Sequence, residues 1–181
     1  MILTGNEDLR IKRTIESIYE AFKKLLCETD YEKISVTKLF QEARISKKSF
    51  YFYYSDLDEL LKEMMMQYSS AYAKSVARYH LPEDAKDVIK EFFVFSSHQG
   101  EAYDRITYLE SFRYIRNQMI HDVRAETKIE SFSNTLPGIY MSTALLEIYI
   151  YWVNGGKKES LDEIIKEATN LILNVLNGMK S

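Results

Sequence analysis

Residues 34–61 read ISVTKLFQEARISKKSFYFYYSDLDELL. Ser35 precedes an apolar-periodic run, so its hydroxyl can cap the free N–H groups of a helix beginning near Val36. Val36, Leu39, Phe40 and Ala43 then share one face, at i, i+3, i+4, i+7 spacing. Ser46 can cap a second short helix, in which Phe50 and Tyr54 repeat at i+4 and point inward. Lys47, Lys48, Ser49, Tyr51, Phe52 and Tyr53 spread around the rest of that helix. So short a helix cannot bury Tyr51, Phe52, Tyr53 and Tyr54 on one face, and at least two of them must project outward. Ser55 with Asp58 matches a capping-box spacing and opens a longer helix. Two short helices across a tight turn, followed by a third, predict a helix-turn-helix unit that binds DNA.

The runs Thr37-Lys38-Leu39, Ile45 through Tyr54 (ISKKSFYFYY) and Asp58-Glu59-Leu60-Leu61 resemble the DNA-binding domain of TetR-family transcriptional regulators. Arg13-Thr14-Ile15, Ala21-Phe22, Leu25-Leu26 and Tyr31 through Val36 look like that family's first helix and its link to the second. The resemblance covers residues 9–63. It implies an all-α chain of about nine helices, divided into a helix-turn-helix head over 1–55 and a helical ligand-binding and dimerisation domain over 56–181. It further implies a ligand-responsive repressor, working as a homodimer on double-stranded DNA at a palindromic operator, with a small-molecule effector. Two positions depart from the family pattern. Arg44 stands where the turn usually has Gly, which reaches left-handed backbone angles without penalty. Leu57 stands where a phosphate-touching Lys is usual.

Within the resemblance, Ser35, Thr37, Lys47, Lys48, Ser49, Tyr51, Phe52 and Tyr53 are the expected DNA contacts. Lysines attract phosphate or reach base edges, and outward aromatics pack on sugar or a thymine methyl. Ser35 and Thr37 open a helix whose N-terminal N–H groups favour an anion. Net charge alone, −3, argues against DNA binding, but its distribution does not. Residues 1–54 hold ten Lys/Arg against eight Asp/Glu, whereas 55–181 hold fourteen against nineteen.

The remaining periodicity predicts helices over 9–29, 36–43, 47–53, 56–80, 83–97, 101–105, 107–122 and 139–154, and a last one from Ser160 to about 177. Asn134 to Gly138 reads as a loop. Only 2 prolines and 6 glycines interrupt the chain. A single Cys excludes an internal disulfide and fits a reducing cytoplasm. No segment has the ~18 uncharged apolar residues of a membrane span, and MILTGNEDLR does not read as a signal peptide.

Beyond the head, most aromatics read as helical core. A pocket between helices needs apolar walls and a few polar handles, which Tyr72, Phe92, Phe95, Tyr108 and Phe112, with Arg105 or Arg113, could supply. Residues 139–153 are apolar almost all round, so that helix must be covered on most sides. A second chain is one cover, through Leu145, Ile148, Tyr149, Trp152, Ile164, Ala168, Leu171, Ile172 and Val175; burial within one subunit is the alternative. His80, His98 and His121 lie on separate elements without metal-ligand spacing, so no metal is expected. No Gly-rich phosphate loop, G-x-S-x-G or H-E-x-x-H occurs, so neither an enzyme nor a cofactor is expected. The rival is a helical interaction protein of the same fold that binds a protein rather than DNA.

Overall fold

Among the described residues, four hydroxyl side chains set helix starts, each accepting a backbone N–H that the first helical turn leaves free. Ser35 accepts from Lys38 N (3.2 Å), Ser46 from Ser49 N (3.0 Å), Thr135 from Gly138 N (3.2 Å) and Ser160 from Glu163 N (3.3 Å). At the last of these the Glu163 carboxylate accepts in return from Ser160 N at 2.8 Å, closing a capping box. The bonds that this carboxylate accepts, first from the Ser160 N–H and then from the Ser160 hydroxyl (2.7 Å), hold the Glu163 carboxyl below its usual range.

The computed structural model describes residues 9–109, 113 and 135–179. Among them the regular structure is entirely helical: α1 (Leu9–Glu28), a 3₁₀ turn (Tyr31–Lys33), α2 (Val36–Glu42), α3 (Lys47–Tyr53), α4 (Leu57–Val76), α5 (Ala85–Ser97), α6 (Glu101–Thr107), α7 (Leu136–Asn154) and α8 (Leu161–Gly178). The helix expected over 107–122 lies almost wholly outside the described residues.

Three boundaries differ from the periodicity. The cap of α4 is Asp56, whose carboxylate accepts from Glu59 N at 2.8 Å, while Glu59 accepts from Ser55 N at 2.7 Å. The carboxylate of Asp56 displaces the Ser55–Asp58 pairing, and Asp58 instead accepts from the Tyr31 hydroxyl. At its other end α4 stops at Val76, and a turn over 81–84 precedes α5. Finally, α7 begins at Leu136 rather than 139. Pro137 occupies its first turn, where the missing N–H costs no hydrogen bond, so Leu136 to Gly138 are helical and Thr135 is their cap.

The chain divides into two compact units. The first runs through Ser70 and takes in α6; the second begins at Ala71, within α4, and holds α5, α7 and α8. The division between these compact units falls inside α4. The reason is packing: α6 lies on α1, and α4 buries Leu60, Leu61, Met64 and Met65. The core of this unit joins them to Ile15, Ile18, Phe22, Leu39 and Phe50. The Tyr19 hydroxyl donates to the buried Glu63 carboxylate (3.0 Å) and accepts from Gln67 (2.7 Å), fixing α1 against α4. In the second unit α7 and α8 pack on α5 and on each other. Phe92, Phe93, Tyr149 and Trp152 form a chain of rings with centroids 5.5–6.1 Å apart.

Arg44 adopts φ +54, so the turn keeps the left-handed geometry that a Gly would supply. An L-residue there costs about 1–2 kcal/mol, partly offset by the greater chain entropy of an unfolded Gly. Arg44→Gly is therefore expected to stabilise the first unit by about 0.5–1 kcal/mol, read as a higher urea midpoint at unchanged slope. An unchanged or lower midpoint would show that Arg44 is not strained.

Candidate functional site

The face of α3 that does not enter the core is the candidate nucleic-acid interface. The helix is only seven residues long and is held from both ends. Ser46 caps its start, and the Oγ atoms of Ser46 and Ser49 lie 2.8 Å apart. Phe50, fully buried, and Tyr54, 1% exposed, pin its inner face, with ring centroids 5.8 Å apart. Burial pushes the Tyr54 phenol above its usual range; its hydroxyl lies near Tyr19 without meeting hydrogen-bond geometry.

With Phe50 and Tyr54 turned in, the 3.6-residue period sends Lys47, Lys48, Tyr51 and Phe52 outward. Both lysines are exposed, Tyr51 is 48% exposed and Phe52 is 77% exposed. The Lys47 ammonium stands 5.8 Å from the centre of the Tyr51 ring, a cation–π arrangement that leaves its charge accessible. Tyr53 is half-buried, its ring edge-to-face with Phe52 at 5.0 Å. Ser49 is half-buried beside Ser46. On the neighbouring α2, Thr37 is exposed, and the Ser35 side chain is committed to its cap. Lys24 and Glu42, 2.7 Å apart, tie α2 to α1 at the surface. Leu57, at the start of α4, is half-buried and brings no charge to this surface.

The second unit contains a cavity of about 190 Å³. Tyr72 and Val76 of α4, Leu81 of the following turn, and Val88 and Phe92 of α5 form one part of its wall. Gly138, Met141, Ser142 and Leu145 of α7 form the rest. Of the residues expected from sequence, Tyr72 and Phe92 line it, and Phe95 packs on Tyr72 at 5.6 Å without reaching the wall. Arg105 belongs to the first unit and binds Glu101 at 3.0 Å, so it is not a handle for this cavity. Tyr108 and Arg113 also belong to the first unit and are exposed, and Phe112 lies outside the described residues. The four α7 positions follow i, i+3, i+4, i+7, a readable signal masked because the start of that helix resembled a loop.

Of the nine expected interface residues, Leu145, Tyr149, Trp152, Ile164, Ala168 and Ile172 are buried by the chain itself. Ile148 is half-buried, while Leu171 is 60% and Val175 41% exposed. One face of the apolar α7 is thus covered from within the subunit, while Leu136, Ile139 and Tyr151 remain exposed. Among the described residues no cluster of His, Cys, Asp and Glu could hold a metal ion, and no helix is long and apolar enough to cross a membrane.

No family model matches this chain, and no curated protein matches it. Solved structures do. A TetR transcriptional regulator from Streptococcus agalactiae is 24% identical, with TM-score 0.57 over 90% of this chain and 95% of that one. NalD, the secondary repressor of the MexAB-OprM multidrug efflux pump in Pseudomonas aeruginosa, is 14% identical, with TM-score 0.65 over 91% and 96%. The regulator FadR from Bacillus subtilis, solved with stearoyl-CoA, is 17% identical, with TM-score 0.63 over 87% and 96%. The chain shares the all-helical fold of these TetR-family regulators.

Proposed function

We propose that this chain is a cytoplasmic DNA-binding transcriptional regulator that acts as a homodimer. It represses by occupying a palindromic operator and releases it when a small molecule enters the second unit. The observation that carries this reading is the outward surface of α3, where Lys47, Lys48, Tyr51 and Phe52 stand on a helix anchored from behind by Phe50 and Tyr54. Such a helix fits the major groove, with lysines on phosphate or guanine edges and rings on sugar or thymine methyls. Tyr53, half-buried, and Thr37, exposed, would add phosphate contacts at its margins. NalD is a repressor and FadR was solved with an acyl-CoA, which supports repression and a bound effector here.

Leu171, Val175 and Met179, at i, i+4, i+8 on the outer side of α8, form an exposed apolar stripe suited to a second copy. Two heads held by that dimer would read half-sites one or more helical turns apart. An effector then acts by favouring one spacing of the heads over another.

Fluorescence anisotropy with DNA from upstream of the chain's own gene tests the reading. Lys47→Ala or Lys48→Ala should each weaken binding by about 1–3 kcal/mol if the residue reads a base edge. Wild-type affinity should fall steeply with added salt as phosphate contacts release counterions. Wild-type affinity in both single variants would sink the α3 assignment. An exposed Phe52 also suits a protein partner; binding that ignores salt and DNA sequence would favour that alternative.

A further inference from the structure

The cavity of the second unit has a wall chemistry that restricts what it can hold. Its side chains are aliphatic or aromatic, apart from the Tyr72 phenol and the Ser142 hydroxyl. Among the described residues, no Asp, Glu, Lys, Arg or His lines it. Ser142 is exposed; its hydroxyl donates to the Ile139 carbonyl at 3.1 Å, which leaves its oxygen able to accept hydrogen bonds from a ligand or from water. Glu91, next in sequence to Phe92, is turned to Arg78 at 3.5 Å. The rings of Tyr72 and Phe92 meet almost at right angles, 85°, with centroids 5.6 Å apart. That corner accepts a third ring edge-on or offset.

Size narrows the choice further. An apolar cavity of roughly 150 Å³ is large enough for benzene, and this one measures about 190 Å³. An ion entering it would give up part of its hydration and meet no opposite charge among the described residues of the wall.

We infer that the cavity takes a small uncharged apolar molecule about the size of one aromatic ring, bearing at most a hydroxyl donor for Ser142. Carboxylates and ammonium ions of the same size are rejected. The inference deepens the effector role proposed above and rests on that role for its regulatory meaning; occupancy of the cavity can be measured without DNA.

Benzyl alcohol, benzoate and benzylammonium carry the same ring with three different charges. The full chain labelled with ¹³C-methyl methionine reports on the cavity through Met141, which lines the wall, and on the first unit through Met64 and Met65, which are buried in its core. Met141→Leu identifies the resonance and nearly preserves the wall. Benzyl alcohol should shift the Met141 signal saturably and leave Met64 and Met65 unmoved. Both ions should bind at least tenfold more weakly. A charged probe binding as tightly as the alcohol would overturn the inference, as would a Met141 signal unmoved by all three. Anisotropy on operator DNA separates this from the proposed function. If the alcohol occupies the cavity and operator affinity is unchanged, the ligand class stands and the effector role falls.

Discussion

Phe50→Ala should unfold α3 and, on the function proposed above, abolish operator binding, although Phe50 lies on the buried face of that helix. Its ring is fully buried, packed against Tyr54 and edge-to-face with Tyr51 at 5.4 Å. Helix α3 spans seven residues, far too few to persist alone in water. It holds its shape because Phe50 and Tyr54 fasten it to the core. Truncating a buried Phe costs about 3–5 kcal/mol, a large fraction of the ~5–15 kcal/mol that stabilises a typical domain. Phe52, two residues along, is the internal control. At 77% exposure it contributes little packing, so Phe52→Ala should change stability by less than about 0.5 kcal/mol. That variant should lose DNA affinity while melting like wild type. Circular dichroism melts and anisotropy on the same samples separate the two. Equal destabilisation by both substitutions would show that the exposed face of α3 is structural rather than a binding surface.

Leu171→Glu should yield a folded monomer that barely binds the operator. The side chain is 60% exposed on the isolated subunit, so the subunit itself should tolerate a carboxylate there. In a two-fold interface the same change buries two unpaired like charges close together, and burial of an unpaired charge is strongly unfavourable. Separating the heads removes the effective concentration that one bound half-site gives the other, a loss of about 10²–10⁴ in affinity. Ile172, the next residue, is fully buried, so Ile172→Glu should instead fail to fold. Sedimentation velocity with circular dichroism distinguishes these outcomes. A wild-type chain that is monomeric at micromolar concentration would remove the dimer, and with it any mechanism based on the distance between two heads.

Much of the first unit was legible because its signals act over three or four residues. Ser35 and Ser46 cap its helices through bonds to N–H groups three positions on, as Ser160 does in the second unit, and the sequence shows that spacing directly. Phe50 and Tyr54 had to turn inward together once α3 was a helix, and this by itself sent Tyr51 and Phe52 outward. Thr135 and Pro137 show where local reading faltered: the same residues signal a loop or a helix start, and the residues that follow decided for α7.

Which surfaces meet was a tertiary matter. The pattern of α7 required that it be covered, but hydrophobic burial is non-directional and does not specify by what. In the folded chain α5 and α8 cover Leu145, Tyr149 and Trp152, leaving Leu171 and Val175 on the outside. Arg105 pairs with Glu101 one turn back on α6, a local i, i+4 contact, whereas the packing of α6 on α1 in the first unit was a tertiary matter. Met141 and Ser142 became wall residues only when α7 was brought against α5, because a cavity is a property of facing surfaces and no single helix encodes it.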